Sequence, residues 1–106
     1  MKDFLLIPDA NGRESSAIPF AEVVNAYKLT ANVAQAIDVP AGANIAVFSC
    51  DNDFYAKPGA TVTVPAANVT DGTAGELNPV ARGVGKLTQI AVISPVSSTL
   101  TVSYYK

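Results

Sequence analysis

The chain has 106 residues, of which 49% are apolar and only 15% charged, with a formal net charge of −2. That length makes one domain, residues 1–106, built on a single core. Charge this far below the average of about 25% cannot cover a small domain, so some apolar surface is expected to face other protein chains, most simply further copies of this one.

The seven basic residues are scattered and form no stripe that would neutralise phosphates, which argues against direct nucleic-acid binding. Without histidine, no Ser/His/Asp or Cys/His arrangement exists. Zinc sites of the His/Cys kind fall with them, and the single Cys50 permits no internal disulfide. Cys50 sits in an apolar run, where a free cysteine behaves as a small buried hydrophobe. No cofactor is expected and the chain reads as non-enzymatic.

In chain order, residues 3–7 read as a short apolar strand stopped by Pro8, too short for the core of a signal peptide, which needs about 7–15 apolar residues. No run approaches the roughly 18 that suggest a membrane span. The expectation is a soluble protein made in the cytoplasm with no membrane partner. Asn11-Gly12 is a strong turn dipeptide. Residues 17–24 form a second extended candidate, with Pro19 favouring an irregular or edge position. Phe20, Val23, Val24 and Tyr27 also fit the helical spacing, so residues 18–27 remain open between helix and extended chain, with β-branched Val23-Val24 and the strand-like run that follows favouring mostly extended chain.

From residue 33 alternation is clean. Val33, Gln35, Ile37 and Val39 share one face; a turn at residues 40–43 follows. Residues 44–50 return, with Ile45 and Val47 opposite Ala46, Phe48 and Cys50. Asp51-Asn52-Asp53 turns the chain, residues 54–56 form a short strand, and Lys57-Pro58-Gly59 turns again. Residues 61–64 alternate as a strand ended by Pro65. Residues 66–85 carry no convincing period: they hold room for a short strand near residues 75–77, a helical turn after Pro79, or an excursion that docks on a neighbouring subunit. Residues 88–94 are nearly continuous in apolar side chains, as in a strand buried on both faces. Residues 95–98 turn, and 99–105 alternate, with Leu100, Val102 and Tyr104 inward and Thr101, Ser103 and Tyr105 outward. About seven or eight short strands with frequent turns define an all-β domain, a small antiparallel β-sandwich or jelly-roll-like barrel.

Asp51 and Asp53 are the best oxygen ligands for a hard cation, but a calcium site needs about six to eight oxygens. The same residues suit tight turns, where their side chains bond to nearby backbone. Any of Asp38, Asp51, Asp53, Asp71 and Glu76 could pair as catalytic acids, a signal without value until distances are known. Phe54, Tyr55, Tyr104 and Tyr105 are candidate contacts, either as core and interface anchors or as an aromatic platform for sugar.

The segments VPAGA (39–43), AVFS (46–49), DFYAK (53–57), VPAANVTDGTAGELNPVAR (64–82) and the terminal hairpin ending in aromatics resemble small proteins encoded among the virion structural genes of tailed bacteriophages and prophages. The resemblance covers about two-thirds of the chain and its motifs are structural rather than catalytic. It implies an accessory virion component, a capsid decoration or a tail or neck protein, made in the host bacterial cytoplasm and located in the virion. Its partners would be itself and other virion proteins. Contacts are then expected from Phe54, Tyr55, Tyr104, Tyr105 and the loop carrying Asp71, Glu76, Leu77 and Arg82. VPAG also occurs in cupin-like barrels, whose metal-binding histidines have no counterpart here. The rival expectation is a carbohydrate-binding β-sandwich module using the tyrosines, assisted by calcium at Asp51 and Asp53.

Overall fold

Alternating side chains and frequent Gly, Pro, Asn and Asp punctuation produce eight strands and no helix among the described residues, which in this computed structural model are 1–5 and 17–106. The strands are β1 (Val23–Leu29), β2 (Gln35–Asp38), β3 (Ile45–Cys50), β4 (Tyr55–Pro58), β5 (Glu76–Leu77), β6 (Ala81–Gly83), β7 (Gln89–Ile93) and β8 (Ser98–Tyr105). They form two four-stranded antiparallel sheets, ordered β1-β8-β3-β6 and β2-β7-β4-β5. First pairs with last, second with seventh, third with sixth and fourth with fifth, as in one long hairpin. That ribbon then rolls so that β8 also meets β3 and β7 also meets β4. The result is the double-sheet jelly roll.

The inward residues of both sheets make one core. Leu29, Ile37, Ala46, Phe48, Phe54, Ala56, Ile90, Val92, Leu100, Val102 and Tyr104 are buried together. Each large apolar side chain among them contributes roughly 1.5–3 kcal/mol by leaving water. Register follows from parity: Ala46, Phe48 and Cys50 stand opposite Tyr104, Val102 and Leu100, so one face of β3 meets one face of β8 throughout. Cys50 is free and half-buried against this core. The turn at residues 40–43 closes with a hydrogen bond from the Ala43 N–H to the Pro40 carbonyl, and Gly42 takes the positive φ of 85° that a side chain would resist.

Of the two alternatives for residues 18–27 the extended one holds, with the strand beginning at Val23. Pairing with β8 along all seven residues of β1 outweighs the helical spacing, and β-branched Val23-Val24 agrees with that outcome. Residues 3–5 are not a strand, although the Phe4 N–H donates to Lys106 and the Lys106 N–H to Lys2, so this end is tied to the end of β8. The rest of that expected strand, and the Asn11-Gly12 turn, lie outside the described residues. Lys57 and Pro58 belong to β4 rather than to a turn. Pro58 is tolerated because β5 pairs only with Tyr55 and Ala56, leaving nothing to receive an N–H beyond them.

Residues 61–64 alternate in exposure yet form no ladder, because the position beside β4 is taken by β5. Their buried member, Val62, packs instead on the outer face of the second sheet against Ala91 and Ile93, with Tyr55 and Val64 at the margin. Residues 59–75 are therefore a cover. No helical turn follows Pro79; the short strand expected near residues 75–77 is β5.

Candidate functional site

The open side of the sandwich between β5 and β6 gathers the most chemistry. Glu76 stands opposite Ala56 and Arg82 opposite Ala46, both core alanines, so each charged residue projects from the inner face of its edge strand. They meet across the gap between the sheets, the Arg82 Nε donating to Glu76 Oε2 at 2.8 Å. A second guanidinium nitrogen donates to the Ala81 carbonyl. With both side chains about half exposed, the pair contributes only about 0–1 kcal/mol. Its geometric effect is larger: inward charges on short edges discourage pairing with another chain.

Beneath this pair lies a cavity of about 130 Å³ lined mostly by apolar atoms, among them Phe48, Ala56, Pro79, Val84, Leu87 and Ile90. A mostly apolar chamber of this size holds a group about as large as benzene. Its charged lining residues are Lys57, Glu76 and Arg82, the last two held in their mutual ion pair.

Asp51 and Asp53 accept bonds from distant segments rather than from the backbone of their own turn. Asp51 Oδ1 accepts from the Thr99 N–H at 2.9 Å, and Asp53 Oδ1 from the Asn78 amide at 2.9 Å. Among the described residues no three of Asp, Glu, Cys and His group as metal ligands. The more informative residue is Asn78, which takes a positive φ of 50°. Its side-chain oxygen accepts from the Phe54 N–H at 3.0 Å while its own N–H donates to the Phe54 carbonyl. It clips the entry of β4 to the β5–β6 connection.

The expected contact residues divide. Phe54 and Tyr104 are core residues, 2% and 0% exposed. Tyr105 points outward as its parity requires, yet is covered: Phe4 stacks edge-on at 5.1 Å and its hydroxyl donates to the Pro19 carbonyl. Tyr55 and Leu77 face each other as a cross-strand pair on the outer face of the other sheet, Tyr55 half-buried and Leu77 exposed. Asp71 is exposed at the tip of the covering segment; bonds from the Thr73 hydroxyl and N–H hold its carboxyl below the usual range. Thus the four aromatics form no common platform, while Glu76 with Arg82 and Tyr55 with Leu77 are brought together.

Compared with known proteins, this chain matches no family model, no curated protein and no solved structure. Its surface must therefore speak for itself. Among the described residues the most exposed large apolar side chains are Phe20 at 97%, Val80 at 66%, Leu5 at 65% and Val33 at 55%, followed by Leu77 and Val24. Sequence reasoning anticipated apolar surface but missed Phe20 and Val80. Phe20 was absorbed into a helical spacing, and Val80 follows Asn78-Pro79, which marks a turn and carries no information about exposure.

Proposed function

We propose that this jelly roll is a non-enzymatic structural protein that acts by homo-oligomerisation and contacts with other proteins, as an accessory component of a tailed-phage or prophage virion. The observation that carries the assembly part is the set of exposed large apolar side chains, led by Phe20, Val80, Val33, Leu77 and Val24, on a small domain of low charge. The virion setting, whether as capsid decoration or as a tail or neck part, rests on the sequence resemblance in residues 39–82 and the terminal hairpin. The sugar-binding alternative gains no support, since Phe54 and Tyr104 are in the core and both turn carboxylates already accept bonds.

The test is to purify particles from a host carrying the gene and quantify this chain in them. Stoichiometric copies that resist a salt wash support the reading. Particles without it, together with a protein that stays monomeric at micromolar concentration, overturn it.

A further inference from the structure

Of the strands that end the two sheets, β1 is by far the longest, with seven residues against four, three and two for β2, β6 and β5. Among the described residues it pairs on one side only, with β8. Its other side presents a row of backbone donors and acceptors, the usual template for a further strand. Side chains alternate along it: Val23, Asn25, Tyr27 and Leu29 turn toward the core, while Val24, Ala26 and Lys28 are exposed, as is Glu22 just before the strand.

We propose that two copies of this chain join their β1 edges antiparallel about a two-fold axis at Asn25, making one continuous eight-stranded sheet. The proposal rests on the assembly reading above and names the surface responsible. The order Glu22, Val24, Ala26, Lys28 is self-complementary about that point. Glu22 of each copy falls opposite Lys28 of the other, Val24 opposite Ala26, and, on the inner face, Val23 opposite Tyr27. An isologous interface requires this reciprocity, and opposite charges across neighbouring strands favour the register. A lone Lys on an edge normally wards off pairing. Here the carboxylate six positions earlier supplies its partner from the second copy, and no other register brings these two charges face to face. Lys28 already donates to Thr99 Oγ1 at 2.8 Å, which holds its ammonium over the outer face of the sheet.

The experiment is sedimentation velocity on the full chain over micromolar concentrations, comparing wild type with Glu22→Lys, Lys28→Glu and the double reversal. A dimer of the 10.9 kDa chain is expected for wild type. Each single reversal places like charges together twice and weakens dimerisation by roughly tenfold, about 1.4 kcal/mol. The double reversal restores it. Both positions are exposed, as is the Lys28–Thr99 bond, so thermal unfolding of a dilute monomer should change little and serves as the folding control. A dimer indifferent to the single reversals, or a double variant as weak as the singles, overturns the β1 pairing while leaving the assembly reading standing. A monomer at every concentration overturns the β1 pairing and the homo-oligomer part of that reading, while its contacts with other proteins are decided by the particle assay.

Discussion

The strands β7 and β8 occupy equivalent central places in their sheets, but their outer faces meet different surroundings. On β7, Ala91 and Ile93 point away from the core yet are buried, because residues 59–75 lay Val62 across them and Lys57 donates to the Thr73 carbonyl to hold the cover down. On β8, Thr99, Thr101 and Ser103 point outward and stay half exposed. The difference is written in the residue types: a strand covered twice is apolar throughout, and a strand covered once alternates. It teaches that residues 59–75, led by the alternating run at 61–64, are a structural layer whose partner was already announced by Ile93.

The comparison breaks most visibly by truncating one outward-facing residue on each strand. Ile93→Ala should lower unfolding free energy by about 2–5 kcal/mol, the usual range for a buried Ile, as measured by urea denaturation. Thr101→Ala, on the open face, should stay within about 0.5 kcal/mol. Equal losses would mean that residues 59–75 do not cover the second sheet.

A finer probe adds an atom to the cover. A Cβ at Gly75 would come within 2.8 Å of the Val62 Cγ2 and 3.4 Å of the Ala56 carbonyl oxygen. Gly75→Ala should cost about 1–3 kcal/mol by forcing Val62 off the Ala91–Ile93 surface. Because the obstruction is a side chain, Val62→Ala should remove much of that cost. The double variant should then be more stable than the sum of the single losses allows, as a double-mutant cycle would record.

How much of this was legible beforehand follows from what each residue records. Leu100, Val102 and Tyr104 announced their strand because every second side chain meets the core, and the continuous run of β7 announced its double burial. Residues 61–64 misled because alternation reports which side chains are buried, not whether the backbone pairs. Residues 18–27 were ambiguous because their apolar spacing fits two periods, and only the length of β8 beside them decides. At the candidate edge, Glu76 and Arg82 were singled out for a loop and proved to be partners across two sheets, a relation that sequence separation does not encode. Tyr104 and Tyr105 were grouped as contacts by residue type, although adjacent residues on a strand face opposite ways.

That adjacency gives the smallest and most specific prediction. Both hydroxyls are removed from water, but only one has a partner: Tyr105 donates to Pro19 at 2.8 Å, whereas the Tyr104 oxygen has none among the described residues. Tyr27, whose own hydroxyl accepts from the Asn25 amide, stands close without completing a bond to it. Tyr105→Phe should therefore destabilise by about 1 kcal/mol, and Tyr104→Phe should stabilise by a similar amount, because an unpaired buried hydroxyl is a cost that phenylalanine lacks. Burial, reinforced by the neighbouring Tyr27 hydroxyl and then the Asp38 carboxylate, also pushes the Tyr104 phenol well above its ordinary value. Below about pH 10 it is neutral in both folded and unfolded chains and contributes no pH dependence. Above that, the unfolded chain releases the proton first, so the folded state binds more protons and stability declines as pH rises. Tyr104→Phe should flatten that alkaline decline and Tyr105→Phe should leave it in place. Matching stability-against-pH curves for the two variants would show that the inner hydroxyl is not buried without a partner.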